Sequence, residues 1–186
     1  MKAGVLALQG DFREHAAVLA GCGATPLEVR TPADLAEVAC LVIPGGESTT
    51  IGRLARVHGL VEPIRERVAH GMPVLGTCAG MIAMATEVDG GEPLLSIMDL
   101  GVARNAYGRQ VDSFEADVHV EGLDRPLRGV FIRAPVVERV GEAARVLATH
   151  DGRPVVVEQG ALIAAAFHPE LVPDPGLHER FLGKVT

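Results

Sequence analysis

The chain has 186 residues, 48% hydrophobic and 22% charged, enough for one sizeable core and close to the usual size of a single domain. A net charge of -7 with no basic block, no Trp and a single Tyr leaves neither a phosphate-tracking surface nor an aromatic stacking platform, so nucleic acid is not an expected partner. Three cysteines, Cys22, Cys40 and Cys78, are odd in number and lack C-x-x-C spacing, which argues against a disulfide framework or a zinc site and for a reducing compartment.

The first apolar run, Ala3 to Leu8, starts like a secretory leader, but Gln9, Asp11, Arg13 and Glu14 end it too early, and it reads as a strand. The longest apolar stretch, Ala161 to Phe167, falls far short of the ~20 residues of a membrane span. A cytoplasmic protein without a membrane segment is expected. After the first strand, helix is predicted over Asp11 to Ala20, strand over Leu27 to Arg30 and Leu41 to Ile43, helix over Ser48 to His58, strand over Val74 to Gly76, and helix over Ala79 to Ala85. This alternation implies a parallel sheet with helices on both faces, whose ligands bind outside the carboxyl ends of the strands. The second half changes character. Phe114 to Val120 alternates apolar with polar, and Gly129 to Arg133, Arg145 to Thr149, Pro154 to Glu158 and Leu162 to Phe167 follow as closely spaced strands before a closing helix, Leu177 to Lys184. The fold class expected is three-layer α/β/α, flavodoxin-like, with a mixed but mainly parallel central sheet extended by antiparallel strands. No repeat or linker divides it, so residues 1–186 read as one domain.

The chemistry concentrates in three segments. Gly76-Thr77-Cys78-Ala79-Gly80 places a cysteine between two glycines at a predicted strand-to-helix turn, the spelling of a nucleophile elbow, where the flanking residues must be small. The first amides of the following helix favour a thiolate and offer oxyanion donors. A cysteine nucleophile needs a base and the base an orienting group. His168-Pro169-Glu170 supplies both, with side chains at i and i+2 of an extended segment on the same side, and Pro169 disfavours helix at His168. Third, Pro44-Gly45-Gly46-Glu47-Ser48-Thr49-Thr50 is a strand exit into a helix start. Ser48 or Thr49 is the expected N-cap, and the Gly46 amide, with that of Ala79, is a candidate oxyanion donor. Arg104 and Arg133 are candidate fixed cations for a substrate carboxylate, although surface arginines look the same in sequence. His15, His58, His70, His119, His150 and His178 show no spacing that suggests metal ligation and are taken as solvated or core residues.

With these segments in order, and with Gly4 to Gly10, Asn105 to Gln110 and Phe131 to Pro135 added, the sequence resembles the class I, or triad, glutamine amidotransferases, and within them the glutaminase subunits of pyridoxal 5'-phosphate synthases. The resemblance runs nearly the whole chain. It implies Cys78 as nucleophile, His168 as base, Glu170 as its orienting partner, and contacts to L-glutamine from Gly46, Glu47, Ser48, Arg104, Ile132 and Arg133. It further implies hydrolysis of glutamine to glutamate and ammonia with no metal or organic cofactor, and a synthase subunit that takes the ammonia. Leu171 to Gly176 is more Pro-rich than the family pattern. A glutaminase of another pathway, such as histidine biosynthesis, would share the triad but not the Arg104 to Gln110 and Phe131 to Pro135 segments. A noncatalytic flavodoxin-like docking module would have no need of Cys78, His168 and Glu170 together.

Overall fold

A computed structural model describes residues 1–104 and 113–185. Its strands and helices, in chain order, are β1 (Lys2–Leu6), α1 (Phe12–Gly21), β2 (Thr25–Val29), α2 (Pro32–Ala36), β3 (Cys40–Ile43), α3 (Ser48–Val57), α4 (Val61–Ala69), β4 (Val74–Thr77), α5 (Ala79–Met84), β5 (Ala85–Asp89), β6 (Met98–Ala103), β7 (Phe114–Val118), β8 (Leu127–Phe131), β9 (Val136–Val140), β10 (Arg145–His150), β11 (Arg153–Gln159), β12 (Leu162–Ala165) and α6 (Gly176–Leu182).

The central sheet runs β10-β11-β12-β4-β3-β1-β2. The strands from β12 to β2 are parallel, whereas β11 and β10 pair antiparallel at one edge. β3, β4 and β12 are buried at every position, as expected of central strands covered on both faces. The chain steps from β1 outward to β2, then back across β1 to β3 and on to β4. Right-handed crossovers therefore put α1 on one face and α2 to α4 on the other. α5 packs on α3, and α6 touches α1 through its histidine, which completes the two outer layers.

Two expectations of sheet membership are corrected. β7 and β8, covering the predicted strands at Phe114 and Gly129, form their own antiparallel ribbon, and only β10 and β11 extend the main sheet. A separate three-stranded sheet, β5-β6-β9, has no counterpart among the predicted elements, nor do α2 and α4. β5 begins at Ala85, directly after α5, so the helix predicted to Ala85 stops at Met84. Among the described residues, no helix is long and apolar enough to cross a membrane.

Candidate active site

Three adjacent strands deliver the reactive groups to one edge. Beyond the carboxyl end of β4, Cys78 adopts φ 48°, ψ -104°, a conformation that costs a non-glycine residue on the order of 1–3 kcal/mol and is held only by its surroundings. The Cys78 amide donates to the Ala165 carbonyl at the end of β12, 2.8 Å away, fixing the turn. A Cβ at Gly80 would collide with the carbonyl oxygen of Ile43, and one at Gly76 would meet the Gly80 carbonyl at 2.8 Å. Both glycines are thus required by close backbone approach. The Ala79 amide opens α5, where the first N–H groups have no intrahelical acceptor. The Cys78 thiol faces the Ile132 carbonyl at 3.8 Å.

His168 leaves β12 and is anchored by its own amide, which donates to Val130 in β8 at 2.9 Å. Its Nδ1 lies 2.7 Å from Glu170 Oε1, inside the protein. The pairing is as predicted but the route differs. Pro169–Leu171 is a turn of 3₁₀ helix, so Glu170 folds back onto the ring instead of standing beside it in an extended strand. Proline fits the first position of such a turn because it lacks the N–H that would go unpaired there. Burial opposes the imidazolium, but the hydrogen bonds and charges of Cys78 and Glu170 outweigh it and raise His168 to about 10. Burial pushes the Glu170 carboxyl upward, and the bond from His168 pulls against it.

A second carboxylate, unforeseen from sequence, approaches the same nitrogen: Asp11 Oδ2 is 3.2 Å from His168 Nδ1. Nδ1 carries one proton, and the shorter, fully buried Glu170 contact takes it. The donor atoms of Asp11, His168 and Glu170 lie within 4.8 Å of one another, close enough to converge on a cation, but the bond to Glu170 engages Nδ1.

The remaining predicted residues surround a cavity of about 430 Å³ that Cys78 and His168 face. Gly46, Glu47, Ser48, Ala79, Arg104, Ile132 and Arg133 all line it. Glu47, not Ser48 or Thr49, caps α3. Its carboxylate accepts from the amides of Thr49 and Thr50 at 2.9 and 2.7 Å. As the N-cap itself, Glu47 satisfies the amides of the second and third helical residues with its carboxylate, one register earlier than a Ser48 cap would. The Thr50 hydroxyl and these amides hold Glu47 down at about 2. Arg104 is half-buried, donates to Thr49 Oγ1 at 2.9 Å and sits 3.7 Å from Glu47 Oε1, so it is tied to the α3 cap as well as facing the cavity. Arg133 is exposed and has φ 45°, a second strained residue on the cavity wall. Gly46 has φ 153°, and a Cβ there would press on the Gln9 side chain, whose Oε1 accepts from the Glu47 amide at 2.7 Å. The Gly45 carbonyl accepts from the Asp11 amide at 3.2 Å, so the Gly46 N–H across the trans peptide points the other way. Asn105 to Gln110 lie outside the described residues.

A mainly parallel α/β sheet with a strained Cys78 facing a His168–Glu170 pair at its carboxyl edge has the architecture of class I glutamine amidotransferases. The chain belongs to the SNO glutamine amidotransferase family, whose profile matches residues 5–186. It is 56% identical over 183 residues to a Frankia alni protein named pyridoxal 5'-phosphate synthase subunit PdxT, covering 96% of this chain and 92% of that one. A Desulforudis audaxviator protein of the same name is 52% identical over 184 residues, covering 98% of this chain and 97% of that one. A crystal structure described as a glutamine amidotransferase superposes with a TM-score of 0.94 at 50% identity, covering 98% of each chain. PurLQS from Thermotoga maritima, at 15% identity and a TM-score of 0.76, shares the fold; 99% of this chain and 96% of that one are covered.

Proposed function

We propose that this chain, as one domain over residues 1–186, is the glutaminase subunit of a cytoplasmic pyridoxal 5'-phosphate synthase. In this reading it hydrolyses L-glutamine and passes the ammonia to a synthase subunit. The observation that carries the reading is the strained Cys78 set against the His168–Glu170 pair at the mouth of an amino-acid-sized cavity. The near full-length identity to proteins named as PdxT supports the pathway over other glutaminases.

In the mechanism, the Cys78 thiolate adds to the side-chain amide carbon of glutamine, and the carbonyl electron pair moves onto oxygen. The Ala79 amide and the Gly46 peptide are the donors that stabilise this oxyanion. His168, protonated and held by Glu170, gives its proton to the departing nitrogen, and ammonia leaves a γ-glutamyl thioester on sulfur. Neutral His168 then takes a proton from water as it attacks the thioester. The tetrahedral intermediate collapses, releasing glutamate and restoring the thiolate–imidazolium pair. Arg104 and Arg133 are the cations available to the substrate carboxylate.

The test mixes the chain with a synthase subunit and measures glutamate release and pyridoxal phosphate formation. Cys78→Ala is expected to abolish both with glutamine as nitrogen source, and added ammonium salt to restore the second. Glutamine hydrolysis by Cys78→Ala would overturn the assignment of the nucleophile. Failure of ammonium rescue in an assembled complex would overturn the division of labour.

A further inference from the structure

Behind Glu170, on the side away from Cys78, lies a buried polar cluster that the mechanism above does not use. His15 projects from α1, His178 from α6 and Thr77 from the last position of β4, and all three are fully buried. His15 Nδ1 is 2.9 Å from His178 Nε2. His15 Nε2 is 3.0 Å from Thr77 Oγ1 and 3.3 Å from Glu170 Oε2. Glu170 thus has one oxygen on His168 and the other turned toward His15. Among the described residues, that second oxygen and His178 Nδ1 are the two buried side-chain atoms with no hydrogen bond.

The proton positions follow from which arrangement leaves the smaller defect. Suppose His15 carried its proton on Nδ1 and donated to His178. The Thr77 hydroxyl could then donate to His15 Nε2, but His178 would hold a buried N–H on Nδ1 with nothing to accept it, and the His15 Nε2 lone pair would also lie 3.3 Å from a carboxylate oxygen. Both are costly in a dry interior. In the opposite arrangement His178 donates from Nε2 to His15 Nδ1, and His15 carries its proton on Nε2, toward Thr77 and Glu170. The defects left, an unused acceptor on His178 and the second oxygen of Glu170, are both acceptors, and buried acceptors go unpaired more readily than buried N–H donors. Burial, with the charges of His178 and His168 adding to it, holds His15 well below its ordinary value, and burial lowers His178 to about 4, so both rings are neutral near pH 7.

We propose that His15 is a positioning residue of the triad: its Nε2–H is the donor that faces the second oxygen of Glu170, and His178 fixes the tautomer that puts the proton there. This deepens the glutaminase reading and rests on it. Through Glu170 the cluster acts on His168. A carboxylate with a hydrogen bond on one oxygen and the dipole of an N–H 3.3 Å from the other is favoured in its ionised, oriented form, and an ionised Glu170 favours the imidazolium that must protonate ammonia. The other groups facing Glu170 are His168 and, from the β1–α1 turn, Asp11, whose charge opposes ionisation of Glu170. The His15 N–H dipole thus acts against the upward push that burial and Asp11 give the Glu170 carboxyl.

The experiment uses the chain assembled with its synthase subunit and compares His15→Leu, His15→Gln and the double variant His15→Leu/His178→Leu. The double variant removes both ring partners, so an apolar core replaces a half-satisfied polar one and stability is retained while the donor is lost. Glutamine hydrolysis by His15→Leu and by the double variant is expected to fall about 10- to 100-fold in kcat, with KM changed by less than about twofold. His15→Gln, whose amide offers a donor to Glu170 and an acceptor to His178, is expected to recover to within about fivefold of the parent. Alkylation of Cys78 by iodoacetamide is expected to shift its pH midpoint upward by about half a unit or more in the two leucine variants, because a less stable imidazolium supports less thiolate. In the unmutated protein, ¹⁵N shifts are expected to show both His15 and His178 neutral and protonated on Nε2.

A lowered melting temperature with kcat and the alkylation midpoint unchanged would overturn the proposal by reducing His15 to a core residue. So would a proton on His15 Nδ1, a measurement that needs no variant to fold. Cys78→Ala separates the two readings. If it still hydrolyses glutamine, the triad assignment fails. If it is inactive while His15→Leu is fully active, only the role of His15 fails.

Discussion

Gly80→Ala tests whether the elbow is held by backbone contact between α5 and β3. A methyl group there would lie inside the Ile43 carbonyl oxygen and 2.9 Å from its carbon, where ordinary Cβ contacts are 3.4–4 Å. Those atoms belong to a central strand paired with β1 and β4, so β3 cannot yield without disturbing two ladders. The short helix α5 must move instead, by about 1 Å, and it carries the Ala79 amide and the Cys78 hinge with it. Overpacking of this kind costs about 1–3 kcal/mol, equivalent to roughly 2–4 °C in melting temperature per kcal/mol for a chain of this size. A 1 Å misplacement of a nucleophile costs about 10²-fold in rate. The assay is glutamine hydrolysis in the assembled complex alongside thermal unfolding of the free chain. Parental kcat and melting temperature together would refute the claim that Gly80 is set by steric contact with β3.

His168→Asn should abolish hydrolysis about as completely as Cys78→Ala, while Glu170→Gln, which keeps an oxygen near Nδ1 but not the charge, should retain more activity; the reverse order of kcat values would reassign the base. Arg104→Ala and Arg133→Ala should each cut kcat/KM about 10- to 100-fold, mostly through KM, if either makes a charge-assisted hydrogen bond to the substrate carboxylate. Unchanged kinetics in both would return them to the surface. A fourth prediction concerns the fold away from the site. Burial works against the Glu158 carboxylate, but Lys184, Arg145 and Arg180 bond it and lower it from 4.5 to about 2. That stabilisation, trimmed by solvent screening to about 1–2 kcal/mol, is present above pH 4.5 and is lost as pH falls toward 2. The melting-temperature gap between the parent and Glu158→Gln should therefore narrow between pH 5 and pH 3, and a constant gap would contradict it.

The parallel half of the sheet was legible because its strands are short apolar runs, with glycine turns and helical segments marking the exits of β1 and β3, and the glycine-flanked Cys78 turn marking that of β4. β5 and β6 were not, because Ala85–Asp89 follows α5 without a breaker, and the run Met81-Ile82-Ala83-Met84 continues smoothly into it. Nothing local marks where helix becomes strand; pairing with β6 decides it. α2 did carry a readable signal, Thr31-Pro32-Ala33-Asp34, and the structure shows the full capping box there. In α4 apolar residues at Val61, Ile64 and Val68 keep helical spacing, and Pro63, tolerable in a first turn, masks it. Phe114–Val118 has the strict alternation of a half-wet strand, but alternation says nothing of the partner, and stacking of Phe114 on Phe131 settles it locally.

At the site, the glycine and proline motifs bring Gly46, Cys78 and His168 to the same cavity, with Glu170 buried behind His168, because those motifs describe backbone shapes that a strand exit requires. The residues missed are polar side chains whose meaning depends on distant partners. Asp11, just before α1, and His15, in its first turn, are four residues apart, and that spacing alone tells only that they lie on the same side of the helix start. Their roles depend on β12 delivering His168 beside Asp11, and on the 3₁₀ turn at Pro169 swinging Glu170 against His15. His178, 163 positions from His15, supplies the third contact from the last helix. A histidine was thus readable as core or solvated from sequence, but whether a core histidine is inert or a donor to the triad is fixed by tautomer, which is set by the last hydrogen bond in the chain. His178 makes that bond, and its unused Nδ1 marks the end where the donor sequence begins.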